Sequence, residues 1–274
     1  MLTKEQLTSY HDNGFLCPIQ IIDTNDAGQL REKYDDTFNS TQATKLLENA
    51  GVSSDEFSLL DDDPHLLFKW VADLVFHSTV VGAVRDILGP DILIWETRFF
   101  PKKAHTANFI SWHQDLKYWK LNDDCKEVTA WIALSPSTEK SGCMRVVPGS
   151  HKRELVDHKE TFASENMLSR GQEIAVDVDE KDAVNMVLKP GEMSLHDGKI
   201  FHASHPNRSD DDRIGLAIRC LPASANQTYG RGLATLLCGS STQENFKLMQ
   251  PARNNNPTPD QVRHLSELYK RFDG

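Results

Sequence analysis

A mainly β fold, a sandwich or barrel with flanking helices, is what this 274-residue sequence predicts, on three observations. Between residues 91 and 222 it breaks into short runs rich in β-branched and aromatic residues, among them DILIWETRFF, EVTAWIALS and RIGLAIRCL. Turn formers separate the runs, as in NDD, EKSG, KPGE and NRSDDD. Before residue 90, and again after 257, apolar residues recur at helical spacing instead. Many short strands behind a helical section point to two packed sheets or one rolled sheet.

The elements follow in order. Thr3 and Gln6 form a capping-box pattern that starts a helix, and Gly14 suits its end. A second helix is expected from Thr24 to about Phe38, with Leu30, Tyr34 and Phe38 on one face. Residues 64 to 89, PHLLFKWVADLVFHSTVVGAVRDILG, read as one or two apolar helices closed by Gly89. FISWHQD, CMRVVPGS, EIAVDV, EMSLHD and KIFHASH complete the expected strands. KIFHASH and RIGLAIRCL are expected to pair as a hairpin about the polar turn between them. PARNNNP, 251 to 257, is the one linker-like stretch. Thr258, Pro259 and Gln261 then open a last helix, whose stripe is Val262, Leu265, Leu268 and Phe272. With no internal repeat, the whole of 1–274 reads as a single domain: a helical section to about 90, a core over about 91–222, and a C-terminal extension with a helix at about 258–272.

Charge and composition narrow the function. Net charge is −10, which opposes nucleic-acid phosphates and anionic lipid, so neither is an expected partner. No run approaches the roughly 20 apolar residues of a membrane helix. MLTKEQLTSYHDNGF lacks the apolar stretch of a secretory signal, and five scattered cysteines read as free thiols. A cytoplasmic protein is expected.

The stretch SWHQDLKYWKL places His113 and Asp115 two residues apart between Trp112 and Trp119. In a chain with eleven histidines, one HxD arises by chance, and a polar surface strand explains it equally well. On a strand, however, positions i and i+2 face one side, so both groups can reach one point. KIFHASHPNRSDDDRIGLAIR offers a third donor in His202, with Ser204 beside it and Arg213 across the expected hairpin. Two imidazoles and a carboxylate leave positions open on Fe(II). Arg213 can equally pair with Asp210, Asp211 or Asp212; His205, of opposite parity and before a proline, suits a turn better, but His196 shares strand parity with His202, so spacing alone does not choose between those two.

SWHQD, TAWIALSPSTEKSGCMRVVPGSHKRE and FHASHPNRSDDDR, in that order, resemble the phytanoyl-CoA dioxygenase family of Fe(II)/2-oxoglutarate-dependent oxygenases. LTKEQLTSYHDNGFL is similar to that family's N-terminal helix. The resemblance implies a double-stranded β-helix (jelly-roll, cupin-like) core. It implies Fe(II) on His113, Asp115 and His202, with 2-oxoglutarate and O2 as co-substrates. It assigns Arg213 and Ser204 to 2-oxoglutarate, and Thr129 and Trp131, on one face of EVTAWIAL, are placed against it as well. Related halogenases carry Ala or Gly where this chain has Asp115, which argues for hydroxylation.

For the substrate, the run WHQDLKYW with SGCMRVVPGSHK looks most similar to bacterial 2-aminoethylphosphonate hydroxylases. A small anionic or zwitterionic molecule would meet Arg98, Asn108, Trp119 and Arg145, and its amine could meet Glu96. Lys102 and Lys103 read as solvated loop charges. Ectoine-like or natural-product substrates remain open, as do a non-catalytic jelly-roll binder and a zinc cupin-like hydrolase. The sequence is silent on oligomeric state.

Overall fold

The computed structural model describes residues 1–53, 58–117, 121, 125–168, 171–226, 232–241 and 246–272. Its helices are α1 (Lys4–Asn13), α2 (Thr24–Phe38), α3 (Ser40–Ala50), α4 (Ser58–Asp61), α5 (Lys69–Val75), α6 (Ser78–Leu88) and α7 (Pro259–Phe272). Caps decide where they begin. Gln6 N–H donates to Thr3 Oγ1 while Thr3 N–H donates to Gln6 Oε1, and Thr258 and Gln261 repeat the exchange at α7. Val262 and Leu265 of α7 are buried in the same apolar cluster as Tyr34 of α2, Val71 of α5 and Val80 of α6. The helices therefore close one side of the sheets with a shared core.

The strands, in chain order, are β1 (Phe15–Gln20), β2 (Ile92–Phe99), β3 (Ile110–His113), β4 (Val128–Ala133), β5 (Met144–Val146), β6 (His158–Glu160) and β7 (Gln172–Ile174). They continue with β8 (Val184–Met186), β9 (Glu192–Asp197), β10 (His202–Ser204), β11 (Gly215–Pro222), β12 (Leu233–Cys238) and β13 (Lys247–Met249). Among the described residues they form a large sheet, β1-β9-β4-β11-β2-β12-β13, a small one, β3-β10-β5-β8, and the pair β6-β7. This is a jelly roll with flanking helices, as the sequence predicts. The strand β4 is buried along its whole length, because helices cover one side of the large sheet and the small sheet faces the other.

Four expectations need correction. The N-terminal section is not purely helical: FLCPIQ forms β1, an edge strand on β9, and a proline is tolerated at an edge. The large sheet does not stop near 222, since β12 pairs with β2 and β13 lies parallel to β12. EIAVDV contributes only its first residues to β7. The hairpin does not form. β10 pairs with β3 and β5 in the small sheet, whereas β11 pairs with β4 and β2 in the large one. Residues 205 to 214 cross between the sheets, held by the buried Asn207, whose Nδ2 donates to the carbonyls of Lys102 and Asp211. PARNNNP also proves to be tied down: Asn255 Oδ1 accepts from Trp70 N–H at the start of α5.

Gly215 shows how closely the large sheet packs. A Cβ there would run into the Trp131 indole on the neighbouring strand. Gly215→Ala is expected to cost about 1–3 kcal/mol of stability, the usual price of overpacking, and to shift the indole; a melt together with tryptophan fluorescence reads both.

Candidate active site

The two histidines come together by strand pairing. His202 of β10 lies directly opposite His113 of β3, which puts the rings on one face with centroids 3.9 Å apart. Asp115 arrives differently from the sequence expectation. β3 ends at His113, and Asp115 opens a short 3-10 turn, Asp115–Lys117, so the turn rather than strand alternation delivers the carboxylate. Gln114 pins that turn: its side chain donates to Lys199 O and accepts from Val156 N–H. One ligand atom from each of His113, Asp115 and His202 lies within 4.8 Å of the others, and all three residues are buried.

The protonation pattern suits a metal. His113 Nδ1 lies 2.9 Å from Ser111 O and His202 Nδ1 3.1 Å from Ile200 O. A carbonyl only accepts, so each Nδ1 carries the proton and each Nε2 lone pair is left for a metal. Those Nε2 atoms stand 3.2 Å and 3.8 Å from Asp115 Oδ1. Burial, with His113 beside it, holds His202 well below its ordinary pKa. Burial opposes the charge on Asp115, but the surrounding imidazoles outweigh it and keep the carboxyl below its usual range. Neutral imidazoles and an ionised carboxylate are the forms a metal binds. Three ligands on one side leave open positions, which fits Fe(II).

A cavity of about 560 Å³, counting its open mouth, adjoins these ligands. Phe100, Ile110, Met144, Leu168 and Ala217 supply apolar wall, while Ser204, Thr129, Trp131, His196, Arg213 and Arg219 supply the rest. Arg213 is buried over the Trp131 ring, its guanidinium carbon 5.1 Å from the centroid, and Nη1 donates to Gly142 O. The turn's own acids are taken elsewhere: Asp210 by Lys140, Asp211 by Arg31 and Asp212 by Lys103.

Lys102 is the residue that sequence reasoning misplaced. Lys103 is exposed as expected, but Lys102 is fully buried, and its backbone exchanges two hydrogen bonds with Arg213. Its Nζ donates to Ser204 Oγ at 2.7 Å and to His205 O at 2.6 Å. Burial, and then the nearby Arg213, push the Lys102 pKa down to about 6. Among the described residues no carboxylate pairs with either cation. A buried guanidinium beside a buried amine, with no counter-charge, is expensive alone, and the two match an incoming carboxylate. Because Ser204 Oγ accepts from Lys102, its own hydrogen is free to point at that ligand.

The remaining expected residues divide. Trp131 lies under Arg213, whereas Thr129 sits across the sheet, paired with Arg219, its hydroxyl 2.7 Å from Glu127 Oε1. Arg98 is half-exposed and bound to Asp62 at 3.2 Å, outside the cavity lining. Asn108 is exposed on the loop before β3. Arg145 pairs with Glu180 and His205 and lies 5.6 Å from the Trp112 ring, also outside the lining. Glu96, considered above for an amine, is paired with Arg219. Trp119 lies outside the described residues. Arg219, which reaches the cavity from β11, was not anticipated.

The family model "Phytanoyl-CoA dioxygenase (PhyH)" matches residues 10–215. The chain belongs to that family. Among curated PhyH relatives, a probable alpha-ketoglutarate-dependent hypophosphite dioxygenase from Stutzerimonas stutzeri is 31% identical over 175 residues, 62% of this chain and 59% of that protein. An ectoine dioxygenase from Streptomyces avermitilis is 27% identical over 163 residues, 55% of this chain and 52% of that protein. The chain thus spans between half and three-fifths of these two relatives. Of solved structures, the non-heme monooxygenase ThoJ in its apo form superposes with a TM-score of 0.77 at 25% identity, covering 97% of this chain and 99% of that one. CytC3 with Fe(II) and alpha-ketoglutarate shares the fold, with a TM-score of 0.68 at 20% identity over 94% and 96%.

Proposed function

We propose that this PhyH-family chain is an Fe(II)- and 2-oxoglutarate-dependent hydroxylase of a small zwitterionic substrate, converting 2-aminoethylphosphonate to 1-hydroxy-2-aminoethylphosphonate in phosphonate degradation. The observation that carries the reaction class is the pairing of two features in one cavity. The His113–Asp115–His202 donor set and Arg213 line the same cavity, and the buried Lys102 amine stands behind it on Ser204, with no carboxylate paired to Lys102 or Arg213 among the described residues.

His113, Asp115 and His202 hold the iron, which with 2-oxoglutarate supplies the oxygen chemistry that puts a hydroxyl on carbon and releases succinate. Arg213, Lys102 and the Ser204 hydroxyl bind the far carboxylate of the keto acid, and Trp131 forms the floor under it. The apolar wall of Phe100, Met144 and Leu168 keeps water from the reacting carbon. The phosphonate reading draws support from a relative whose name specifies hypophosphite, another phosphorus oxyanion. A second reading, an ectoine-like substrate, is favoured by the ectoine dioxygenases among the relatives. A cytoplasmic location fits the absence of disulfides among the described residues, and no helix among them is long and apolar enough to cross a membrane.

The test is succinate formation by the Fe(II)-loaded chain with 2-oxoglutarate and each of 2-aminoethylphosphonate, ectoine and hypophosphite. Coupled succinate and hydroxylated aminoethylphosphonate are expected; absence of 2-oxoglutarate turnover under any condition would remove the hydroxylase reading. Arg213→Ala is expected to raise the 2-oxoglutarate requirement by roughly 30-fold or more, as for loss of one partner of a buried charge pair. An unchanged requirement would contradict the role given to Arg213.

A further inference from the structure

We infer that His196 and the Arg219–Glu96 pair are positioning residues for Asp115: they hold its outer oxygen, so the carboxylate gives the metal one oxygen and leaves one coordination position open. This rests on the metal centre proposed above.

The two oxygens of Asp115 face different company. Oδ1 faces His113 and His202. Oδ2 points away from them, 3.9 Å from His196 Nε2 and 4.0 Å from Arg219 Nη2. Both distances lie just beyond a direct hydrogen bond, and such contacts in ligand-free sites tighten when the site fills.

His196 is almost fully buried, yet neither ring nitrogen has a hydrogen-bond partner among the described residues. A buried imidazole with unspent capacity calls for an explanation, and Asp115 Oδ2 provides one. Arg219 is aimed by its neighbours. Across the large sheet, His196 of β9 is in register with Thr129 of β4, Thr129 with Arg219 of β11, and Arg219 with Glu96 of β2. Glu96 grips Arg219 Nη1, and the guanidinium carbon stands 5.6 Å from the Phe100 ring centroid. A polar row on the large sheet therefore ends against a ligand carried by the small one.

The consequence is a matter of coordination number. Three protein donors would leave positions on the metal open. A carboxylate that turned to bind through both oxygens would take up one of those positions. Donors fixed on Oδ2 oppose that turn, as outer partners of metal ligands generally do.

Cobalt(II) titration of the purified chain, followed by visible absorption, tests this apart from turnover. Because Glu96 and Arg219 form a pair, the Glu96→Gln/Arg219→Met double variant is measured, with His196→Leu as the independent arm and His113→Ala as the reference for a lost centre. Both test variants are expected to bind cobalt 10–100-fold more weakly, with the ligand-field bands moved by the second carboxylate oxygen. Arg219→Lys, which keeps the charge, is expected to recover part of the affinity. Wild-type affinity and spectrum in the double variant and in His196→Leu would overturn the inference alone if His113→Ala loses cobalt. If His113→Ala also binds like wild type, the metal centre falls and the inference with it.

Discussion

Asp115→Ala is expected to reduce coupled 2-oxoglutarate turnover by well over 100-fold while leaving the fold in place. In the proposed centre the residue would make one of three protein contacts to the metal, so its loss should exceed the 10–100-fold typical of an outer partner. The fold should survive because a buried carboxylate surrounded by imidazoles is weak support for stability. Iron content after loading, turnover, and the far-ultraviolet circular dichroism spectrum check the three parts separately. Turnover at the wild-type level would take Asp115 out of the centre.

Lys102→Met should separate binding from stability. The ordinary lysine pKa is 10.5, and in the folded chain Lys102 sits at about 6. Between those values the unfolded chain binds more protons than the folded one, so this group's contribution to stability improves as pH rises through that window. Below about 6 the burial penalty is present in full. An arriving dianion reverses the balance by favouring the ammonium form, so binding takes up a proton. The dissociation constant for 2-oxoglutarate is therefore expected to rise with pH above about 6, by up to tenfold per unit. In Lys102→Met that component of the slope should vanish, binding at neutral pH should weaken, and the ligand-free protein should melt no lower than wild type. Calorimetric titration across pH for both proteins decides it, and parallel pH profiles would remove Lys102 from the site.

Local rules made much of the chain legible. Thr3–Gln6 and Thr258–Gln261 announce their helices because a capping box needs only residues three apart. The runs around Trp95, Trp131 and Leu216 read as strands because the large sheet is buried and its sequences are correspondingly apolar. β1 escaped because a six-residue edge strand containing proline carries little signal. The pairing of His202 with His113 also escaped, since register between strands 89 residues apart is not written in either run. The hairpin expectation failed for the same reason: a polar turn between two β runs does not say whether the chain turns back within a sheet or crosses to the other. Lys102 was misread because it follows a proline and precedes an exposed lysine, a pattern that resembles a loop. Its burial comes from the bridge to Arg213, and that is a tertiary fact.

The crossing at residues 205 to 214 puts His113 and His202 on one sheet and the Lys102–Arg213 bridge at the edge of the other. Stacked sheets keep a spacing of about 10 Å, set by the side chains between them. That spacing acts as a gauge of molecular length. A keto diacid one methylene shorter or longer than 2-oxoglutarate is therefore expected to fit less well, and turnover with oxaloacetate and 2-oxoadipate beside 2-oxoglutarate reads that expectation.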